Sequence, residues 1–497
     1  MREAGTSVAI PPRYRAGWPG SKIWEGKFDR ANNDVTMAAR ARAGTLQGWL
    51  GSRLRTGLAL CGARPPKPLA SPMFPTMAPN DVEDVPLELL DVVGPASYAA
   101  HGYPHPAWAR LRREDPVHWV EHGVANPFWA VTKHADIVWL SRQPRQFLNQ
   151  PRLAVFPDFA EEGPRPSSED PFARHLLNMD PPDHAAFRKL SAFRFTPRAV
   201  RRLEASVDAI TTDLLDAAAT EGQAREGDFV ELFAAKLPLI VLADLLGVPR
   251  EDWEQMFRWT NQTIGSTDPE FSGDKTAGEA AEEGRNALFH YFWQLAEKRR
   301  ESPRDDIVSV LANAEIDGKP LPPLELLSYY FLLVVAGNET TRNALSGGLL
   351  ALLENPAELE KLRKAPGLVE PAVEEIVRWT SPVIQFCRTA TEDGELRGKK
   401  IRAGQNLCLF YPSANRDEEV FDDPFAFRVD RKPNPHLAFG IGEHFCLGAN
   451  LARLELRVAF RHLVKRLEDV ELAAPIERLR SSFVGGIKRV PIRYRLR

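Results

Sequence analysis

The chain has 497 residues, of which 43% are hydrophobic and 26% charged, and its formal net charge is −3. These values are typical of a globular protein and give no general case for binding nucleic acid or a membrane surface. No stretch approaches the roughly 20 apolar residues that a membrane-spanning helix needs. The four cysteines are scattered, with no CxxC pair and no disulfide framework, which favours a reducing, cytoplasmic setting.

Residues 1–76 differ in composition from the rest of the chain. They hold 12 Lys and Arg against 4 Asp and Glu, and they are rich in Gly, Pro, Ala and Arg without a sustained hydrophobic period. A segment of this composition cannot bury a core. We therefore predict a basic, largely disordered extension over 1–76 and a working domain over 77–497.

The working domain is predicted to be mainly helical. Apolar residues recur at three and four positions in 197–222, 250–265 and 279–301, as amphipathic helices require. The stretch 321–356 is apolar nearly all round, which predicts a helix buried at the centre of a large domain. Strands are predicted only over 383–411 and in the last fifteen residues. The expected fold class is mainly α with small β-sheets.

Polar residues interrupt the predicted central helix at Gly337, Glu339 and Thr340. A buried carboxylate is costly unless something uses or satisfies it. Glycine costs about 1 kcal/mol relative to alanine inside a helix, and a threonine hydroxyl can bond back to a carbonyl and bend the helix. Both a kink packed against a neighbour and a chemical role are compatible with this pattern.

Two charged pairs lie at helical spacing on either side of this helix. Glu375 and Arg378 are spaced i, i+3 on one helix face, which is also common for solvated surface pairs of little value. His184 and Arg188 are spaced i, i+4 just after a proline pair. Two cation-capable side chains on one face suit an anionic ligand, although the spacing also arises by chance.

Cys446 lies in a loop that a structural cysteine does not need. Gly440, Gly442 and Gly448 surround it, and an apolar-periodic run that predicts a helix follows. Glycines let the backbone wrap closely around a bulky group. A helix N-terminus supplies free N–H donors and a positive dipole end, which lower the pKa of a thiol. The loop therefore predicts a functional thiolate.

Taken together, these motifs resemble those of the cytochromes P-450. The segment Phe439-Gly440-x-Gly442-x-His444-x-Cys446-x-Gly448 resembles the haem-binding loop of that family. Ala336-Gly337-x-Glu339-Thr340 is similar to its oxygen-activating helix, and Glu375-x-x-Arg378 is similar to the pair on its helix K. The motifs occur in the family's order, and the resemblance covers residues from about 80 to 497.

One position departs from the family pattern. An arginine in a Pro-x-Arg-Phe segment usually joins the Glu-Arg pair of helix K, and the matching stretch 423–431 has Ala426 there. Arg428, Arg431 or a backbone carbonyl is left to complete the network around Glu375.

The resemblance implies the cytochrome P-450 fold, a large helical domain around a buried haem b with a small β-rich lobe. Cys446 would be the thiolate ligand of the iron, whose electron donation favours O–O cleavage. Phe439 would cover the sulfur, and the three loop glycines would let the backbone approach the porphyrin. The haem propionates need cations, and the matching positions are His184, Arg188, Arg388 and His436. His444 is expected on the proximal surface of the loop.

On the distal side the resemblance implies three catalytic residues. Gly337 would leave a gap for dioxygen, Thr340 would hold a proton-bearing water, and Glu339 would relay protons from solvent. The implied reaction is monooxygenation, in which one atom of O2 enters a C–H bond. The alternative class is a peroxygenase or a haem sensor, which would not need the paired acid and alcohol.

The resemblance also implies a protein partner. No flavin- or nicotinamide-binding segment follows the haem loop in this sequence, so we expect electrons from a separate acidic iron–sulfur ferredoxin with its ferredoxin reductase. The expected docking face is basic. It comprises Arg188, Lys189, Arg194, Arg453 and Arg457.

Within the family, segments 177–200, 334–348 and 481–494 look most like bacterial enzymes that hydroxylate the end of a sterol or isoprenoid side chain. The segments expected over the haem are apolar, with few groups to fix a polar ligand. Their candidate lining residues are Leu153, Phe156, Val383, Ile384, Phe386, Phe483 and Val484. We expect a sterol or terpenoid substrate, with fatty acids or alkanes second and a bulky polyketide third.

Overall fold

A computed structural model describes residues 82–121, 126–155, 174–219, 222–266 and 268–497. These residues lie within a unit that spans Ser71–Arg497. The predicted extension over 1–76 and the candidate lining residue Phe156 lie outside the described residues.

Helices dominate the described part of the chain, as the hydrophobic periodicity predicts. The helices are α1 Pro95–His101, α2 His105–Glu114, α3 His134–Ser141, α4 Asp183–Ala192, α5 Pro197–Arg201, α6 Glu204–Ala217, α7 Lys236–Leu246, α8 Trp253–Ile264, α9 Pro269–Ser272, α10 Ala277–Glu301, α11 Ile307–Ala312, α12 Pro323–Glu354, α13 Pro356–Lys364, α14 Val369–Thr380, α15 Tyr411–Ala414 and α16 Ala449–Arg466. The predicted helix over 197–222 is divided into α5 and α6, because the chain makes a turn at residues 202–203.

Short strands form the small β-rich part of the fold. They are β1 Val117–Val120, β2 Phe128–Val131, β3 Phe147–Leu148, β4 Arg225–Asp228, β5 Glu315–Ile316, β6 Lys319–Pro320, β7 Gln385–Ala390, β8 Gly394–Leu396, β9 Lys399–Ile401, β10 Asn406–Phe410, β11 Leu467–Leu472, β12 Glu477–Arg478, β13 Ile487–Arg489 and β14 Pro491–Leu496. The predicted strand regions contain β7 to β10 and β13 to β14, whereas β1 to β6, β11 and β12 were not predicted from the sequence.

The largest sheet has the strand order β1-β2-β10-β7-β3. Its pairs are antiparallel except for β10 and β2, which run parallel. A second sheet has the order β11-β14-β4, and it brings the end of the chain back to the residue 225 region. Strand β7 is the element that matters most for the site, because it is central in the first sheet and follows α14 closely.

Helix α12 is the buried central helix that the sequence predicts. It contacts α7, α10, α14 and α16, and most of its residues are buried. The closest approach is at Gly348, where an added Cβ would lie 2.6 Å from Phe460 and 2.7 Å from Ile376. Only a residue without a side chain lets α14 and α16 pack this tightly against α12. This packing fixes the helix that carries the distal motif relative to the helix that follows Cys446.

Among the residues that the structure describes, none of the helices is both long enough and apolar enough to cross a bilayer.

Candidate active site

Cys446 lies between a short 3-10 turn, Gly442–His444, and the first residue of α16. Its N–H donates to the Phe439 carbonyl at 2.9 Å, which closes the loop. The backbone N–H groups of Gly448 and Ala449 donate hydrogen bonds to the Cys446 sulfur. Burial raises the pKa of the Cys446 thiol, and these N–H groups act in the opposite direction. The helix start thus presents its free donors to the sulfur.

Two glycines shape the loop around this sulfur. Gly440 and Gly442 have φ angles of 67° and 78°, a region that favours glycine. A Cβ on Gly442 would lie 2.4 Å from the carbonyl oxygen of Ser141, at the end of α3. A Cβ on Gly448 would meet nothing within 4 Å. The loop is therefore pressed against α3 at one point and faces open space at another.

The middle of α12 has an open face. Ala336 is exposed, and Val335, Gly337 and Thr340 are partly exposed, although Val334 and residues 338, 339 and 341 are buried. The Thr340 hydroxyl donates to the Ala336 carbonyl at 2.8 Å. An exposed face on a helix whose residues are mostly buried indicates an internal space beside it. Ala336 and Thr340, spaced i, i+4, lie on that face.

The Leu242 side chain lies beside Gly337, where the sequence analysis expected a gap. A Cβ on Gly337 would lie 3.1 Å from the Leu242 side chain of α7. The room left by the missing side chain is therefore filled largely by Leu242, and it lets α7 approach α12. The gap for dioxygen predicted beside Gly337 is not seen on that side, whereas the open face belongs to Ala336 and Thr340.

Glu339 is buried, with 1% of its surface exposed. Its Oε2 accepts a hydrogen bond from Arg342, one helical turn later, and its Oε1 has no partner. Burial raises the pKa of the Glu339 carboxyl, against the opposing charge and hydrogen bond of Arg342. In this arrangement Glu339 does not meet solvent directly, so the predicted proton relay requires intervening groups.

His184 and Arg188, two of the four residues predicted to bind the propionates, lie close to His444, which the sequence analysis did not assign to the propionates. His184 and Arg188 lie on α4, and the His184 ring stacks on His444 with 4.0 Å between centroids. The Nε2 atoms of both imidazoles are buried without a partner. Burial lowers the pKa of His184 to about 4, with Arg188 acting in the same direction. Burial likewise lowers the pKa of His444 to about 2, with contributions from His184 and Arg388.

His444 therefore joins His184 beside Arg188 and Arg388, whereas the sequence analysis expected it on the proximal surface of the loop. His436, by contrast, is bound to Glu374 at 3.1 Å. Glu374 also receives two bonds of 2.7 Å from Arg453. Burial would raise the pKa of the Glu374 carboxyl, but the hydrogen bonds from Arg453 and His436 lower it to about 2. His436 already has a carboxylate partner in the protein.

These residues fit a haem. Buried donors without a partner are rare in proteins, and here two imidazole Nε2 atoms lack one beside Arg188 and Arg388. That set matches the two carboxylates of a haem. The sulfur of Cys446, with its backbone donors, matches an iron ligand, and the open face of α12 supplies room.

The Glu375-Arg378 pair forms a fully buried network, and Arg431 completes it. Arg378 binds both carboxylate oxygens of Glu375, at 2.7 and 2.8 Å. The Arg431 Nε lies 3.1 Å from each of the same oxygens, and the backbone N–H of Arg428 donates at 3.0 Å. Burial would raise the pKa of the Glu375 carboxyl, but the bonds and charges of Arg378 and Arg431 lower it. The surface-pair alternative is excluded.

The candidate lining residues come together beside β7. Val383 forms an isolated β-bridge with Val484, and the Phe386 and Phe483 rings lie 5.7 Å apart. The N–H of Cys387, one residue after Phe386, donates to the Leu153 carbonyl at 2.7 Å. The segments that carry these residues thus meet along one strand.

Four of these residues keep some exposed surface, and we call them the apolar lining: Leu153, Val383, Phe386 and Phe483. Ile384 has no exposed surface and Val484 has 6%. Ile384 packs instead into a hydrophobic cluster that includes Val155. Ile384 is therefore a core residue and does not line an open space.

Gln385 is a residue that the sequence analysis missed. It is fully buried, and its amide binds the N–H and carbonyl of Val155 at 3.0 and 2.8 Å. It also donates to the Ser482 carbonyl at 3.3 Å. The amide thus fastens two loops to β7. The signal was a lone polar residue in the apolar run 383–387, a pattern that does not reveal which carbonyls it would reach.

Comparison with known proteins identifies the family. The family model described as Cytochrome P450 matches residues 367–482. A steroid C26-monooxygenase of Mycolicibacterium smegmatis is 40% identical over 393 residues, which cover 78% of this chain and 89% of that protein. The chain belongs to the cytochrome P450 family. It is a P450 monooxygenase with the predicted fold class, and its family implies a haem held by a cysteine thiolate.

Two further relatives of this P450 carry other descriptions. A methyl-branched lipid omega-hydroxylase of Mycobacterium bovis is 40% identical over 407 residues, covering 78% of this chain and 90% of that protein. A Mycobacterium marinum cytochrome P450 solved in complex with pseudoionone has a TM-score of 0.75 and 36% identity. That structure covers 82% of this chain, and this chain covers 99% of it.

We expect Arg431→Leu to lower the free energy of unfolding by about 3–5 kcal/mol, because it removes a charge partner from a buried carboxylate. Arg428→Ala is the matched control, since Arg428 reaches Glu375 through its backbone N–H. The control should change stability by about 0.5 kcal/mol or less. Urea unfolding at pH 7 measures both, and equal losses in the two variants would contradict the assignment of Arg431.

Proposed function

We propose that this P450 monooxygenase hydroxylates a long hydrophobic substrate, a sterol or terpenoid, at or near the end of its chain. The observation that carries the proposal is the apolar lining, which gathers Leu153, Val383, Phe386 and Phe483 along one strand. The descriptions of the relatives, a steroid C26-monooxygenase and a methyl-branched lipid omega-hydroxylase, support the same class of substrate.

The lining supports a terminal site of attack for a physical reason. None of its four side chains carries a hydrogen-bonding group, so it offers shape and burial but no polar anchor. A terminal C–H bond is attacked selectively only when the chain end is held close to the reacting centre. The Phe386 and Phe483 rings, 5.7 Å apart, suit an aliphatic chain better than a polar ring system.

In this proposal Cys446 ligates the iron, and His184, Arg188, Arg388 and His444 hold the propionates. The haem, when bound, supplies the oxygen-activating chemistry. Phe439 shields the sulfur from water on the loop side, and its ring is covered by the Arg453 guanidinium at 4.5 Å. Shielding preserves the hydrogen bonds from Gly448 and Ala449 that tune the ligand.

Thr340 and Glu339 serve proton delivery in this proposal. Thr340 lies on the open face of α12, where its hydroxyl can hold a water molecule that would supply protons to the haem side. A peroxygenase or a haem sensor would not need this acid and alcohol, so their presence favours monooxygenation driven by reductant. Fatty-acid or alkane hydroxylation is the second candidate, because the same apolar lining suits an unbranched chain.

The expected electron donor is an iron–sulfur ferredoxin, and we propose a smaller docking face for it than the sequence alone suggests. Arg194 is paired with Asp305 at 2.5 Å and Arg453 with Glu374, which compensates their charges. Arg457 lies 4.0 Å from Glu370. Of the five predicted basic residues, Lys189 remains as an exposed charge beside the exposed Phe193. Arg188 donates to the carbonyl of the exposed Phe445, but its charge is assigned to the propionates. A small basic patch with two exposed aromatic rings suits an acidic partner.

We expect Cys446→Ser to fold but to lose the long-wavelength absorption band that thiolate-ligated haem gives with carbon monoxide. The reason is that an alcohol does not replace the thiolate as an electron-rich ligand. Cys387→Ala, which removes a buried thiol from β7, should keep the band. Optical spectra of the reduced proteins test this, and a retained band in Cys446→Ser would exclude Cys446 as the ligand.

We expect cholest-4-en-3-one and a linear terpenoid alcohol to shift the iron's spin state and to give products hydroxylated at or near the chain terminus. Phe386→Ala should weaken binding by roughly thirtyfold, because burying a phenyl ring is worth about 2 kcal/mol. Ile384→Val should leave binding unchanged. Mass analysis of product position is the second measurement. A response to a polar macrolide but not to these compounds or a long-chain fatty acid would reject the substrate class.

We expect reduction by an acidic ferredoxin to slow as ionic strength rises, because exposed charges are screened. Lys189→Glu should slow reduction at low salt, since it reverses a charge on the proposed face. Lys400→Glu on β9 is the control, an exposed lysine on a different element. Stopped-flow reduction kinetics measure all three proteins. Rates that are independent of salt and identical in both variants would rule out this face.

A further inference from the structure

A stripe of buried polar side chains runs along α12 next to the open face. Its members are Asn338, Glu339, Arg342 and Asn343, each 0–4% exposed. They are spaced at one and four residues, so they occupy neighbouring positions on the helix surface. We call them the polar stripe. Polar groups buried in a helix at this density are costly unless each has a partner.

Many atoms of the polar stripe have no partner in the protein. Both amide atoms of Asn338, Oε1 of Glu339, Nε of Arg342 and Nδ2 of Asn343 are buried without a hydrogen bond. Since buried polar atoms in proteins are bonded to the protein or to water, the stripe offers several adjacent binding positions for water. At its far end, the Asn343 Oδ1 accepts from the N–H of Ile487 on β13, at 3.3 Å.

Arg342 holds the stripe together and ties it to another helix. One end of its guanidinium binds Oε2 of Glu339, and the other donates to Oδ1 of Asn261 on α8 at 3.1 Å. Asn261 is a neutral amide. Among the described residues, Arg342 is the charged group that acts on the Glu339 carboxyl, and α7 places only the apolar Leu242 against the preceding turn.

We propose that Arg342 is a positioning residue that clamps the Glu339 carboxylate within the polar stripe, and that Asn261 couples this clamp to the position of α8. The proposal rests on the proton-delivery role of Glu339 proposed above. A shift of α8 would loosen the guanidinium, and the free carboxyl could then exchange protons with water bound along Asn338 and Asn343. Proton supply would thereby depend on how α8 is placed.

The clamp explains how a carboxylate with 1% exposure can serve proton transfer. Without Arg342 the buried carboxylate would be unpaired and would favour its protonated form. With Arg342 bound, the charge is held but the group is not free to turn toward Thr340, whose hydroxyl is engaged by the Ala336 carbonyl. The Arg342–Glu339 ion pair thus holds the carboxylate while it is formed and frees it for proton transfer when it opens.

The first experiment measures the clamp without substrate or turnover. Infrared difference spectra of the ferric protein across pH record the protonated-carboxyl band of Glu339, which Glu339→Gln removes and so identifies. We expect Arg342→Gln to raise the band's titration midpoint by at least one pH unit, and Arg342→Lys to restore most of the shift. An unchanged midpoint in Arg342→Gln, or failure of the lysine to restore it in a folded protein, would overturn the clamp.

The second experiment separates positioning from a structural ion pair, using the link to α8. Asn261→Leu keeps the side-chain volume but removes the acceptor, whereas Gln262→Leu on the same helix is the control, since Gln262 binds Glu283 and not Arg342. We expect Asn261→Leu to shift the Glu339 midpoint and at least to double the fraction of reductant that is lost as peroxide. A midpoint and peroxide fraction equal to those of Gln262→Leu would refute the link.

The two experiments also distinguish this inference from the proposed function. The infrared titration does not require a substrate, so an incorrect substrate class would leave its outcome unaffected. If Arg342→Gln does not fold, Asn261→Leu still decides, because it retains a buried group of similar size and is read against Gln262→Leu. Shifts in midpoint without any change in peroxide loss would show a purely structural pair and would overturn the proposal.

Discussion

The ionic network around Glu375 is the constraint on which the rest of the site depends. Arg378 binds this carboxylate and also donates to the carbonyls of Asn415 and Pro424, at 2.8 and 2.9 Å. Arg431 binds the same carboxylate and the carbonyls of Asp422 and Ala426, at 2.7 and 2.6 Å. The segment before the cysteine loop has little regular structure, so its backbone carbonyls need partners from elsewhere. Two buried guanidinium groups supply them.

This network extends to the cysteine loop itself. The Asn415 side chain accepts the N–H of Leu437 at 2.7 Å, and Leu437 in turn accepts the N–H of Gly440 at 2.8 Å. The position of Cys446 is therefore set by α14, through a chain of hydrogen bonds, as well as by α16. A buried charge whose removal leaves several polar groups unpaired is a strong constraint on one conformation.

The sequence predicted the elements whose signals are local. The central helix, the glycine loop and the Glu375-Arg378 spacing follow from periodicity and from neighbouring residues, and the structure has all three. The sequence did not predict contacts between distant residues. Arg431 lies 56 residues from Glu375, and only the fold decides that its side chain reaches the carboxylate, whereas Arg428 reaches it through its backbone N–H.

The contacts of His436 and His444 also could not be predicted from the sequence. His436 and His444 are both near Cys446 in sequence, and the resemblance favoured His436 for the propionates. The structure binds His436 to Glu374 and stacks His444 on His184. The direction of a side chain in an irregular loop depends on the φ angles of Gly440 and Gly442, which sequence spacing does not specify.

Gln385 gives the mouth of the site a mechanical property. By bonding to Val155 and Ser482 from β7, it links the two loops and this strand into one hydrogen-bonded body. Side chains on that body can then change in volume while the backbone under them stays in register. Under the proposed function, substitutions at positions such as Phe386 or Phe483 can therefore change the substrate range without loss of loop order, provided that the buried amide is kept.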